Sequence, residues 1–154
     1  MNKKIYNFSK NWLAGFSQSD GCFSITFHNS KYGLPIRARA VFNLTQNKIE
    51  LDMFLELKKY IGTGNVHFNR NNVTLEVTSV KNILEFIIPI FDENHLRGEK
   101  LKSYLIFKEV SLMMAQKKHL NLEGLLIIIE LSYFMNGKTS LRTELSKNEL
   151  LIKL

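Results

Sequence analysis

The sequence contains one cysteine, Cys22, in 154 residues. An internal disulfide is therefore excluded, as is any zinc site built on several thiolates. The four histidines, His28, His67, His95 and His119, are scattered, with no pair in HxxxH spacing. Long apolar runs are also missing. The aliphatic run Leu125–Ile129 has five residues, against the roughly 20 that cross a bilayer, so no membrane partner is expected. The opening MNKKIYNFSK carries lysines but no apolar segment, unlike a secretory leader, and lacks the Arg- and Ser-rich character of a transit peptide. The expectation is a protein that works where it is made and is not secreted. Acid is in short supply as well: 21 Lys and Arg face 14 Asp and Glu, for a net charge of +7. Such a balance suits a polyanion, either nucleic acid or an anionic membrane surface, and equally a lysine excess that only aids solubility. The placement of the charge must decide.

What is present is ordinary globular material, 45% hydrophobic and 23% charged, long enough for one domain with a real core. Ser9 is placed to cap a helix over 10–20. From Gly21 the period changes to two: Phe23, Ile25 and Phe27 alternate with Ser24, Thr26 and His28. The turn-rich segment 29–35 leads to a second alternating run, 36–46. Helical spacing over 48–60 places Ile49, Met53, Leu57 and Tyr60 on one stripe. Strands are expected at 64–70 and 73–79, joined across Arg70–Asn72. Helices are expected at about 80–91, bent or ended by Pro89, then at 99–116 and 122–135. Residues 138–154 form a polar tail with weak helical character. The fold class is α+β, in the order αββαββα, with an antiparallel sheet carrying helices on one face. One domain is expected over 1–154, with its core at about 8–135.

The outward face of that sheet carries the charge argument. Its positions are Ser24, Thr26, His28, Arg37, Arg39, Asn43, Asn65, His67, Asn69, Thr74, Glu76 and Thr78, with Ser30 in the adjoining turn. A merely solvated face would carry Lys and Glu in rough balance. This one has one Glu, no Lys, two Arg, two His and three Asn. Arg and Asn read base edges in the major groove, which admits a β-ribbon. The composition favours nucleic acid over bare solvation.

The most specific stretch is LAGFSQSDG, residues 13–21. Small residues within a helix, Ala14, Gly15, Ser17 and Ser19, admit a second helix at close range; a poorly optimised surface helix would show the same spacing. Asp20 stands at a helix C-terminus, where the macrodipole disfavours a carboxylate. A divalent cation held by hard oxygens would account for it, and so would a simple Asp-Gly turn.

LAGFSQSDG resembles the LAGLIDADG signature of homing endonucleases, matching at Leu13, Ala14, Gly15, Asp20 and Gly21. The element order, the basic sheet face and the chain length fit that family over residues up to about 135. Ser17 and Ser19 depart from the usual pattern within the motif. The resemblance implies a saddle-shaped sheet straddling double-stranded DNA. It implies two motif helices packed along a two-fold axis, here by homodimerisation through Trp12, Leu13, Ala14, Gly15, Phe16 and Ser17. It implies a metal-dependent double-strand cut at a long pseudo-palindrome, leaving 3′ overhangs. By that resemblance Asp20 and the main-chain carbonyl of Ser19 bind metal. Gln46 positions water, and Lys100 stands near the scissile phosphate. The implied metal is Mg²⁺ or Mn²⁺, with Ca²⁺ supporting binding without cleavage. A basic residue that some relatives carry early in the second helix has no clear equivalent, since Lys48 is followed by Glu50 and Asp52. The alternative is a maturase that binds intron RNA to assist splicing. The expected setting is an organelle (mitochondrion or chloroplast) in which the intron is encoded, or a prokaryotic cytoplasm.

Overall fold

Ser9 starts the first helix as the sequence anticipates: extended at φ −130°, it accepts a hydrogen bond from the Trp12 amide at 3.0 Å. The computed structural model describes residues 6–136 and 144–154. In chain order the elements are α1 (Lys10–Asp20), β1 (Gly21–Asn29), β2 (Ile36–Asn47), a 3₁₀ turn (Lys48–Glu50), α2 (Leu51–Ile61), β3 (Asn65–Asn69) and β4 (Asn72–Val77). Then follow α3 (Val80–Asn82), a π-helical stretch (Ile83–Ile87), α4 (Ile88–Glu93), α5 (Gly98–Ala115), a second 3₁₀ turn (Lys118–Leu120), α6 (Leu122–Ser132) and α7 (Glu144–Ile152).

The four strands form one antiparallel sheet in the order β1-β2-β4-β3. Gly21 pairs with Leu44 and His28 with Arg37; Asn43 pairs with both Cys22 and Glu76. The period-two pattern follows from the pleat: Phe23, Ile25, Ala40, Phe42, Leu44, Val73 and Leu75 are buried on one face. α1 and α5 lie over β1 and β2, while α2 lies over β4 and β3. Phe23 centres the core, with ring centroids 5.1–5.3 Å from Phe42, Phe91, Tyr104 and Phe107. These edge-on and tilted contacts bind α4 and α5 to the sheet.

Several expectations shift. In the second helix the buried stripe is Phe54, Leu57 and Ile61, whereas Ile49 is 79% and Tyr60 40% exposed. Residues 48–50 are wound as 3₁₀, at three residues per turn, so the α-helical phase starts only at Leu51. Pro89 does not end its helix, which continues to Glu93 with Pro89 in the first turn of α4, just past a π stretch. The wider π turn lies where the ring and its missing N–H disturb the ladder. The strands expected at 64–70 and 73–79 are shorter, at Asn65–Asn69 and Asn72–Val77, and are joined by a two-residue turn at Arg70 (φ 57°) and Asn71. The helix expected at 122–135 closes at Ser132. The tail does more than trail: Leu150, Leu151 and Leu154 pack against a second small core of Ile36, Leu125 and Ile129. Its residues 138–143 lie outside the described ones.

Candidate catalytic centre and sheet face

The centre is built at the joint between α1 and β1. Asp20 is the last helical residue and Gly21 is already paired in the sheet, so no spacer separates them. The joint is tight. The Gly21 amide closes the helix on the Ser17 carbonyl, and a Cβ built on Gly21 would lie 2.7 Å from that oxygen and 2.9 Å from Ser17 Cα. The φ of Gly21 is −82°, open to any residue, so glycine is required here by space and not by conformation. Asp20 and Ser19 are both exposed.

Two contacts bring the start of α5 to this joint, across 79 positions of sequence. The Gln18 side chain accepts from the Arg97 amide at 2.9 Å and donates to the Arg97 carbonyl at 3.2 Å, a double bond pair that fixes the residue before α5. Lys100 Nζ donates to the Gly21 carbonyl. A cation is thus held one residue from Asp20. Gln46 lies two residues beyond Leu44, the partner of Gly21, and is partly buried. The topology therefore gathers Asp20, Ser19, Gln46 and Lys100 around one end of the sheet. Gln18 carried no sequence signal: a glutamine inside a helix has no pattern to mark it.

The outward face holds the expected rows. Thr26 Oγ1 and His28 Nε2 are 3.0 Å apart, and His28 stands opposite Arg37. Asn65, Glu76 and Asn43 form one cross-strand row; His67, Thr74 and Thr45 form the next. Asn69, His28, Arg37 and Arg39 are exposed, and Ser24 is partly so. Three of the expected positions have other surroundings. Thr74 is only 8% exposed and shares a 2.9 Å hydrogen bond with Thr45. Thr78 falls after the end of β4. Ser30 directs its hydroxyl to the Tyr32 carbonyl, closing the β1–β2 turn.

On α1, Leu13, Ala14 and Ser17 turn into the chain's own core and leave no surface for a partner, contrary to the interface expected of them. The helix is amphipathic, and they form its inner side. Its exposed side carries Lys10, Asn11, Trp12, Gly15, Gln18, Ser19 and Asp20, with Phe16 half-buried and stacked on Trp12 at 5.2 Å. Around Gly15 nothing lies within 4 Å of where a Cβ would be.

A divalent cation here would meet hard oxygens, the Asp20 carboxylate and main-chain carbonyls at a helix end, which fit Mg²⁺. The described residues hold no cluster of three His, Cys, Asp or Glu able to bind a metal. Asp20 is the acid that this joint offers to such a cation. No helix among the described residues is long and apolar enough to cross a membrane.

A profile of the LAGLIDADG endonuclease family matches residues 13–111. A probable intron-encoded DNA endonuclease 1 of Mycosarcoma maydis is 44% identical over the whole of this chain and 56% of its own length. A probable intron-encoded endonuclease 2 of Neurospora crassa is 32% identical over 90% of the chain and 30% of its own length. The I-LtrWI LAGLIDADG homing endonuclease, solved bound to target DNA, superposes with a TM-score of 0.83 at 36% identity, covering 89% of this chain and 47% of that one. The homing endonuclease I-TnaI, at 23% identity, shares the fold with a TM-score of 0.86 over 97% of this chain and 100% of its own. The chain spans between 22% and 56% of the length of these and similar curated relatives.

Proposed function

Because the chain belongs to the LAGLIDADG endonuclease family, we propose that it is an intron-encoded, site-specific DNA endonuclease that cuts both strands by metal-dependent hydrolysis. The observation that carries this reading is the α1–β1 joint, where Asp20 is delivered to the end of a polar sheet with the Lys100 ammonium anchored beside it. Asp20 and the Ser19 carbonyl would hold the cation, Mg²⁺ by its preference for hard oxygens, whose bound chemistry supplies an activated water and charge stabilisation. Lys100 offsets the charge that develops on the attacked phosphate. Gln46 offers an amide to orient water. The strand residues carry the recognition: β1 has nine residues, about 30 Å at some 3.4 Å each, close to one turn of B-form DNA.

A full double-strand cut needs a second acid, and this chain has one motif. A second copy supplies it if the exposed side of α1 docks on itself, with Gly15 giving the close approach that its empty surroundings permit. The product of such a two-fold arrangement is a cut with 3′ overhangs in a long, near-palindromic target.

The test is a cleavage selection on a randomised duplex library, comparing wild type with Asp20→Asn, in Mg²⁺ and in Ca²⁺. Cutting of an enriched near-palindrome by wild type in Mg²⁺, with the variant binding but not cutting, is the expected result. Equal cutting by the variant would remove Asp20 from the chemistry. Binding of nucleic acid without any cutting would turn attention to intron RNA. Light scattering of the DNA-free chain decides whether two copies associate.

A further inference from the structure

β1 and β2 outrun the rest of the sheet. Pairing of β2 with β4 stops at Phe42 and Val77, while its pairing with β1 continues to Ile36 and Asn29. Next to that overhang the 3₁₀ turn Lys118–Leu120 packs against β2. A cavity of about 350 Å³ lies there, lined among others by His28, Arg37, Arg39, Thr78, Met114 and His119. Its lining contains no carboxylate. Arg37 and Arg39 are exposed and form no salt bridge among the described residues. His119 is partly buried, and its Nδ1 is enclosed without a hydrogen-bond partner among the described residues. Burial, and then the charge of Arg37, hold the His119 imidazole below its ordinary pKa of 6.5. Cationic side chains have been collected around a space with nothing to neutralise them.

We propose that this cavity seats a backbone phosphate of bound duplex DNA, with His119 as a contact reaching it from the helical side of the molecule. The proposal rests on the endonuclease reading and extends it to a residue outside the sheet. His28 and Arg37 form the register pair near the open end of the β1–β2 hairpin, so a duplex lying along the sheet has its flank at this point. Phosphate oxygens accept from the Arg37 guanidinium and from the imidazolium, the charge-assisted bonds that dominate backbone contacts. The groups lining the space around His119 fix the direction of the linkage. From the strands these are Arg37, Arg39 and His28; from α5 it is the uncharged Met114. On its own segment Lys117 and Lys118 flank it, and Glu123 of α6 is exposed and does not line the cavity. All the charged groups lining the cavity are positive, so the free protein disfavours a proton on His119, and a phosphate reverses that preference. DNA binding is therefore coupled to proton uptake at this ring.

The experiment measures the affinity of the full chain for a labelled mixed-sequence duplex, long enough to span the sheet, at about pH 5.5 and about pH 8, either side of the ordinary imidazole value. Wild type is expected to bind about tenfold more tightly at the lower pH, a one-unit linkage. His119→Gln should keep the pH 8 affinity and lose most of that ratio. Arg37→Gln should weaken binding at both values and lower the salt dependence by about one counterion. Should a variant fail to fold, NMR titration of the wild-type His119 ring with and without duplex gives the same answer through an upward shift on binding. A full pH ratio in His119→Gln, or a ring titration that duplex leaves unmoved, overturns the pocket and leaves the endonuclease reading standing. Failure to bind duplex at any pH overturns both.

Discussion

Replacing Gly21 by alanine probes the joint most directly. The added methyl would lie 2.7 Å from the Ser17 carbonyl oxygen, 2.9 Å from its Cα and 3.0 Å from its Cβ. None of these can swing aside: Ser17 is fully buried, and two of the three atoms are helix backbone. Ordinary contact, from 3.4 Å, requires a retreat of about 0.7 Å from the carbonyl oxygen, and overpacking of this kind costs about 1–3 kcal/mol. Against it stands a gain of about 0.4–1 kcal/mol, because alanine restricts the unfolded chain and tolerates φ −82° without strain. The net expectation is a loss of about 1–2 kcal/mol, or a fall in Tm of about 3–6 °C for a chain of this size, read by thermal unfolding in circular dichroism. The same retreat displaces Asp20 relative to Lys100, which is bonded to the Gly21 carbonyl. Misplacement by about 1 Å costs on the order of 10²-fold in rate, so cleavage of the selected target should fall at least about tenfold with DNA affinity little changed. A Tm equal to wild type or higher, with full cleavage, would refute the argument, since it would show that the joint has slack.

Other outcomes follow from neighbouring residues. Ser17→Ala should raise stability by about 1 kcal/mol, measured by urea unfolding, because the buried Ser17 hydroxyl has no partner among the described residues and alanine is the better helix former. Gln18→Ala removes both bonds to Arg97 and should lower cleavage several-fold while leaving duplex affinity near wild type; equal loss of both would mean a general defect of folding. Asp92 has its pKa lowered: burial raises it, but hydrogen bonds from Lys108 at 2.7 Å and Tyr104 at 2.7 Å outweigh that. A depressed carboxylate contributes stability above its ordinary 3.8 that is lost as pH falls through the folded value. Asp92→Asn should therefore flatten the decline in stability below about pH 4, followed by denaturant titration.

The joint and the sheet were legible in the sequence because both rest on short-range rules. A cap at Ser9, a change of period at Gly21 and strict alternation through β1 and β2 need no knowledge of tertiary contacts. The second helix departs from its pattern at the flank: Ile49 fits a stripe drawn at 3.6 residues per turn, and the 3₁₀ start moves it into solvent. The π stretch before Pro89 left no mark in the apolar pattern. Leu13, Ala14 and Ser17 belong to the motif, yet the motif does not say which of its residues face inward; the sheet beneath α1 decides that. The Gln18 clamp and the placing of Lys100 depend on a 79-residue separation. Spacing is silent about such contacts, and Lys100 was reached only through family resemblance. His119 stood in a nondescript basic loop until the overhang of β2 gave it neighbours.

The absence of a spacer between Asp20 and Gly21 makes this junction an index mark for the whole molecule. Suppose one residue were inserted there. Either β1 would accept it, and Phe23, Ile25 and Phe27 would exchange faces with Cys22, Ser24, Thr26 and His28; or α1 would accept it, and the acid would swing by about 100° around the helix axis. The angle of the acid and the identity of the outward side chains are set by one residue count. Descendants of this chain can exchange the outward residues one at a time, since each occupies its own place in the pleat. The count itself they cannot change without losing both settings together.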